Sequence, residues 1–399
     1  MPLPKAAGKT DVTWQEERGN RMLDLPESGV FVGRVWRRGV GPAVVALRGD
    51  RVIDITTRTA PTMRDLLEVE DVPAVVARTE GEDIGSLGEI AAASLQGRGG
   101  TRLLAPVDLQ AIKACGVTFA RSMLERVIEE RAGGDPGRAE EIRARVAGVI
   151  GDSLRNLVPG SEKAAEVKAL LQAEGLWSQY LEVGIGPDAE VFTKAPPMAA
   201  VGWGAGVGLH PVSRWNNPEP EVVLAVDSTG RIVGASLGND VNLRDVEGRS
   251  ALLLGKAKDN NASASIGPFI RLFDEAFTLN DVRRMELELR VTGEDGFVME
   301  GRSSMAEISR DPADLVAQTR GAHHQYPDGF ALYCGTMFAP VQDRDAPGQG
   351  FTHHTGDVVT IFSRELGSLQ NSVHLATDLP EWTFGAGALM RNLAGRGLL

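Results

Sequence analysis

Apolar and polar positions along this chain change pattern three times. Residues 1–28 are polar and read as an arm leading into the body. From Gly29 the pattern turns to short apolar or alternating runs. GVFVGRVWR and PAVVALRGDRVIDIT, the second split by a turn at Gly49-Asp50, predict strands. The stretch PTMRDLLEVEDVPAVVA predicts a helix over about 61–80. QGRGGTRLLAPVD, with Gly97, Gly99 and Gly100, predicts a linker. A small N-terminal β-rich domain (1–104) is therefore expected ahead of a larger domain (105–399).

Periodicity becomes helical over 120–177. Leu124, Val127 and Ile128 form a stripe that ends near Gly133-Gly134. Asp135-Pro136 supplies a cap and first-turn pair for a second helix with apolar positions Ile142, Val146 and Val149. Pro159-Gly160-Ser161 separates it from a third helix running to about Ala173. From 178 onward the pattern predicts strands and loops, with a single helix near Asp311–Thr319 behind a Ser309 cap. There is no internal repeat and no low-complexity segment.

Composition narrows the function classes. The chain has 399 residues, 42% hydrophobic and 24% charged, as in ordinary globular proteins. Its formal net charge is −12, and no segment concentrates positive charge, which argues against nucleic acid or an anionic membrane as partner. No apolar run reaches the ~18 residues needed to span a bilayer, and the N-terminus lacks an apolar targeting core. Two cysteines, Cys115 and Cys334, make no disulfide framework and suit a reducing cytoplasm. Forty-seven glycines and 21 prolines point to many turns and a β-rich body.

The candidate chemistry centres on NNPEPEVVLAVD (216–227), GNDVNLRD (238–245) and GKAKDNN (255–261). Glu219 and Glu221, two apart on a strand, project from one face. Two like charges on a half-buried surface repel, and a divalent cation is the simplest compensation. Asp240 offers a third oxygen and Lys258 follows. A blander reading stands beside this one. Pro220 suits an edge strand, which would leave two solvated acids; Asp240 could sit in a turn, and Lys258 could be solvated like its neighbour Lys256.

Other motifs carry less. GWGAGVG (202–208) is followed by His210-Pro211 rather than a helix, so it is no nucleotide fingerprint and reads as a flexible loop near a site. The histidines lack zinc-helix spacing, and no G-x-S-x-G elbow is present.

These segments, with FTKAPPMAAVGWG (192–204) and GTMFAP (335–340), resemble the core motifs of the fumarylacetoacetate hydrolase superfamily. Within it the chain is similar, nearly end to end, to 2-keto-3-deoxy-sugar-acid dehydratases, notably those acting on 2-keto-3-deoxy-D-xylonate. The resemblance implies an α+β, β-rich fold. A rolled mixed β-sheet domain would follow a small N-terminal β-rich domain, with 120–177 as a helical insertion acting as a lid. It implies a homodimer or homotetramer, Mg²⁺ or Mn²⁺ held by Glu219, Glu221 and Asp240, and a small 2-keto-3-deoxy sugar acid as substrate. Hydrolases of the superfamily activate water with a lid histidine paired to a glutamate. GVTFARSMLERVIEE carries Glu125, Glu129 and Glu130 but no histidine, which fits elimination rather than hydrolysis.

The chemistry expected is therefore dehydration to 2,5-dioxopentanoate, in oxidative pentose catabolism. The cation polarises the C2 ketone and acidifies the C3 protons, an enolate forms, and the C4 hydroxyl leaves. Lys258 is expected to handle the C3 proton or steady the enolate, its pKa lowered beside the cation. Glu129 or Glu130 is expected to protonate the leaving hydroxyl. Arg121, Ser122 and Thr336 are candidate substrate contacts. The rival readings are a metal-dependent acylpyruvate hydrolase or decarboxylase, and a non-catalytic sugar-acid binding protein.

Overall fold

The computed structural model describes residues 23–97, 100–139, 141–142, 157–173, 175, 177–336, 338, 340 and 342–399, with only the backbone of Ala120, Arg121 and Leu124. Most of the polar arm and the apolar positions Val146 and Val149 lie outside the described residues.

The described residues contain sixteen strands. They are β1 (Phe31–Arg37), β2 (Gly41–Arg48), β3 (Arg51–Asp54), β4 (Glu82–Ser86), β5 (Arg102–Leu104), β6 (Ala111–Gly116), β7 (Glu190–Ala195) and β8 (Gly206–Leu209). There follow β9 (Pro220–Val226), β10 (Ile232–Asp240), β11 (Ala264–Leu272), β12 (Glu286–Thr292), β13 (Val298–Ser304), β14 (Phe330–Tyr333), β15 (Val358–Ser363) and β16 (Gly367–Leu375). One 11-stranded sheet has the order β4-β3-β2-β1-β11-β10-β9-β14-β6-β7, with β5 paired to β1; a five-stranded sheet has the order β13-β12-β15-β16-β8. Parallel pairing of β14 with β6 and of β16 with β8 makes both sheets mixed.

Strand β9 explains how the sheets stack. Val222, Leu224 and Val226 join a core with Leu289, Ile361 and Leu369 of the small sheet. Val223 and Ala225 join a second core with Met63, Leu66 and Val76. A strand covered on both faces reads as a continuous apolar run, which is what PEVVLAV is. The edge-strand reading of Pro220 is therefore overturned. β9 lies inside the sheet, and the proline is tolerated because it is the strand's first residue.

The N-terminal strands continue the large sheet: β1 pairs antiparallel with β11, Phe31 opposite Arg271. The helix expected over 61–80 is two helices, Met63–Leu67 and Val72–Arg78. Asp71 caps the second by accepting from Ala74 N, and Pro73 sits in its first turn, where it cannot continue a preceding helix. The glycine run is not a flexible loop. A Cβ on Gly202 would meet the Leu104 backbone at 2.4 Å, so glycine is there for close packing.

Between β6 and β7 the described residues contain α1 (Ala120–Ala132), α2 (Glu162–Ala173) and α3 (Gln179–Ile185). Met123 and Val127 of α1, Leu171 of α2 and Leu181 of α3 pack in a small core of their own. α1 stops at Gly133, whose φ of 65° gives the left-handed cap glycine adopts freely. Past 178 the chain is more helical than expected. Helix Pro312–Thr319 is capped by Asp311 rather than Ser309. Two further helices matter, α4 (Leu254–Lys258) and α5 (Ala386–Gly395). α4 is too short to show a period, and glycines blur that of α5, whose Leu389 and Leu393 are nonetheless buried. Among the described residues no helix is long and apolar enough to cross a membrane.

Candidate functional site

Antiparallel pairing of β9 and β10 sets Glu221 opposite Gly238, and Asp240 N donates to the Glu219 carbonyl at 3.0 Å. This register brings together the end of β10 and the start of β9. Carboxylate oxygens of Glu219, Glu221 and Asp240, all buried, lie within 4.8 Å of one another. Lys258, the last residue of α4, places Nζ 2.6 Å from Glu219 Oε2 and 3.1 Å from Asp240 Oδ2. Lys256 points out into solvent. Gly335 N donates to Glu221 Oε2 at 2.6 Å. At φ 91°, and with a Cβ that would fall 2.0 Å from Thr118 Oγ1, position 335 admits only glycine.

The electrostatics fit a hard divalent cation. Burial, then repulsion from Asp240 and Glu219, pushes the Glu221 carboxyl well above the ordinary range. A cation bridging the three would relieve that repulsion, and three buried carboxylates form an oxygen donor set of Mg²⁺ or Mn²⁺ type. Burial also acts on Asp240, but Lys194 and Lys258 outweigh it and hold its carboxyl low.

The protein's own groups act on Lys258 in opposite directions. Burial favours the neutral amine, yet Asp240, Glu219 and Glu247 outweigh it and raise the lysine pKa, whereas the expected lowering concerns the lysine beside a bound cation. Its nearest neighbours are carboxylates, which stabilise the ammonium.

The remaining sequence candidates separate. Ser122 and Thr336 line the cavity over the three carboxylates. Arg121 lies in α1, its side chain outside the described residues. Glu129 is buried between Arg126 and Arg244, with Arg244 Nε 2.6 Å from Oε1. Burial works against ionisation there, but the two guanidiniums hold its carboxyl below the usual range. Glu130 turns away from the cavity: Ser178 Oγ donates to it at 2.5 Å and Gln179 Nε2 at 2.9 Å. Glu130 is thus not placed over the carboxylates, whereas Glu129 lines a cavity with Ser122, Glu219 and Thr336 but is paired with two guanidiniums that disfavour its protonated form.

Four residues at the centre escaped the sequence reading. Glu190 opens β7 opposite Gly116, where a Cβ would lie 2.0 Å from its Oε2, so the glycine makes room for the carboxylate. Burial, then Glu247, pushes the Glu190 carboxyl up to about 7. Glu247 is buried and raised too, by burial and by Glu219 and Glu129, against Arg126 and Lys258. Lys194 Nζ is 2.8 Å from Asp240 Oδ1. Arg126 Nη2 is 2.5 Å from Glu219 Oε1. The only sequence signal for the lysine and Glu190 was their place in and beside the FTKAPP phrase; Arg126 and Glu247 lie likewise in GVTFARSMLERVIEE and just beyond GNDVNLRD.

The family described as fumarylacetoacetate (FAA) hydrolase C-terminal matches residues 195–374. A probable 2-keto-3-deoxyxylonate dehydratase of Haloferax volcanii is 30% identical over 214 residues, 53% of this chain and 68% of that protein. A 2-dehydro-3-deoxy-D-arabinonate dehydratase of Saccharolobus solfataricus is 28% identical over 180 residues, 45% of this chain and 57% of its own length. Among solved structures, 2-keto-3-deoxy-D-arabinonate dehydratase in its apo form superposes with a TM-score of 0.61 at 21% identity. The same enzyme complexed with magnesium and 2,5-dioxopentanoate gives 0.59 at 21% identity. Each covers 87% of this chain and 99% of the solved one. At that identity the structural likeness carries the fold.

Proposed function

We propose, from the premise that this chain belongs to the fumarylacetoacetate hydrolase superfamily, that it is a divalent-metal-dependent hydro-lyase. Its substrate would be 2-keto-3-deoxy-D-xylonate or a close 2-keto-3-deoxypentonate, and its product 2,5-dioxopentanoate. The observation that carries the reading is the pairing of Glu190, a carboxyl poised near neutrality, with the buried triad Glu219, Glu221, Asp240. The lid helix, ARSMLERVIEERA, meanwhile has no histidine to activate water for hydrolysis.

Glu219, Glu221 and Asp240 would hold Mg²⁺ or Mn²⁺, which when bound supplies Lewis acidity at the C2 ketone of a chelating 2-keto acid. Glu190, as carboxylate, takes a proton from C3. The C3–H electron pair becomes the C3–C4 double bond and the C4–O bond breaks. The hydroxyl departs as water with a proton returned by the same carboxyl group. The C5 hydroxyl of the resulting alkene then allows tautomerisation through an enol to the aldehyde. Lys258, held as an ammonium, steadies the negative charge that develops on the ketone oxygen. Ser122 and Thr336 contact the substrate, and Arg121, on the same helix as Ser122, is a further candidate contact. Glu129 acts as a positioning residue that braces Arg126, and Glu130 braces α1 against α3.

The test is an aldehyde-detecting assay on a panel of 2-keto-3-deoxy acids, with acylpyruvates alongside, in the presence and absence of Mg²⁺. Metal-dependent aldehyde formation from a 2-keto-3-deoxypentonate is expected. Cleavage of acylpyruvates alone would favour the hydrolase reading, and no turnover of any 2-keto acid would favour a binding protein.

A further inference from the structure

Arg126 projects from α1 into the centre and meets three carboxylates. Nη2 is 2.5 Å from Glu219 Oε1; Nη1 is 2.6 Å from Glu129 Oε2 and 3.1 Å from Glu247 Oε2. Lys258 takes the other oxygen of Glu219 at 2.6 Å. Both Glu219 oxygens are thus engaged by cationic side chains. A Mg²⁺-type ion needs one of them at about 2.1 Å, and a guanidinium nitrogen at hydrogen-bond distance from that same oxygen would crowd and repel the ion.

One side chain has to yield, and the contacts decide which. Lys258 is fixed at both ends. Its Nζ also lies 3.1 Å from Asp240 Oδ2, and its carbonyl accepts from Lys194 Nζ at 2.5 Å. Arg126 keeps two carboxylates, Glu129 and Glu247, when it lets go of Glu219, so its charge stays paired. It also lines the same cavity as Ser122 and Thr336. A 2-keto acid that chelates the ion through one carboxylate oxygen and its ketone leaves a second carboxylate oxygen in that cavity. A planar guanidinium is well shaped to receive it.

We infer that Arg126 is the exchangeable counter-ion of the centre. A divalent cation displaces it from Glu219, and the freed nitrogen then binds the carboxylate of the incoming 2-keto acid, so that metal must precede substrate. The inference rests on the proposed reading of the centre as a 2-keto acid site.

Mn²⁺ affinity by titration calorimetry, without any turnover, tests the exchange. Arg126→Met, which removes the competitor, is expected to bind Mn²⁺ roughly tenfold more tightly than the parent, a typical size for coupled binding. Arg244→Met is the control, because Arg244 pairs with Glu129 and Glu125 and removes the same charge without touching Glu219. Equal tightening in both variants, or none in Arg126→Met, would overturn the exchange. In Mn²⁺-loaded protein, 2-oxobutanoate is expected to bind at least about tenfold more weakly to Arg126→Met than to the parent, with Arg126→Lys in between; unchanged affinity would overturn carboxylate recognition. If the variants do not fold, hydrogen exchange of the α1 amides in the parent decides. A change on adding Mn²⁺ is expected, and its absence counts against the inference. Should the parent bind Mn²⁺ and 2-oxobutanoate as described yet dehydrate no sugar acid, the exchange stands and the proposed reaction falls.

Discussion

Lys194 holds Lys258 by its main chain. Lys194 Nζ donates to the Lys258 carbonyl oxygen at 2.5 Å, and the same nitrogen lies 2.8 Å from Asp240 Oδ1. It also reaches the Val241 carbonyl at 3.1 Å. One fully buried side chain thereby fixes the Asp240 carboxylate of the proposed metal centre and the backbone that presents Lys258. Lys194→Met is expected to cost about 3–5 kcal/mol of stability, the usual penalty for breaking one side of a buried ion pair. Urea unfolding measures it. A loss below about 1 kcal/mol, the scale of exposed pairs, would show that this anchor is dispensable.

Chelation with EDTA is expected to abolish turnover, and Mg²⁺ or Mn²⁺ to restore it. Added metal should also raise the thermal midpoint, since a ligand that binds only the folded state stabilises it. Glu221→Gln should bind metal weakly and keep little activity at any metal concentration. Full activity in thoroughly stripped protein would refute the metal assignment.

For Glu190 the expectation is a pH-dependent role. Its carboxyl titrates near 7 in the folded protein against 4.5 for an unperturbed glutamate. As a base it must be ionised, so kcat/KM should rise with pH through about 7, and Glu190→Gln should lose about 100- to 10,000-fold together with that limb of the profile. Stability runs the other way. Between about 4.5 and about 7 the folded protein holds a proton that the unfolded chain has released, so this residue's contribution falls as pH rises across that window. Glu190→Gln should flatten that trend. A variant with an unaltered pH–rate profile would remove Glu190 from the proposed proton transfer.

Lys258→Met should fold, still bind metal, and lose most turnover, whereas Lys256→Met, two residues away and exposed, should be near neutral. Exchange of C3 protons of 2-oxobutanoate with solvent deuterium separates the roles. If Lys258 only steadies charge, slow exchange persists in Lys258→Met and vanishes in Glu190→Gln. The opposite pattern would return the base assignment to Lys258.

The spacing of Glu219, Glu221, Asp240 and Lys258 was legible in the sequence because each link is local. Residues two apart on a strand share a face, an antiparallel partner follows directly, and α4 closes the loop back to it. The strands of the N-terminal region and helices α1 and α2 were legible for the same reason, through periods of two and about 3.6. What only the tertiary structure decided involves partners distant in sequence. That β9 is central rather than an edge depends on β14 pairing with it from residues 330–333. Glu190 faces the site because β7 pairs with β6 and Gly116 leaves room beneath the carboxylate. Whether Glu129 is an acid or a brace depends on Arg244, more than a hundred positions along the chain. Protonation state is set by the sum of burial and every nearby charge, and a linear sequence does not contain that sum. The ring of three carboxylates, Asp240, Glu219 and Glu247, that acts on Lys258 therefore emerged only with the tertiary structure.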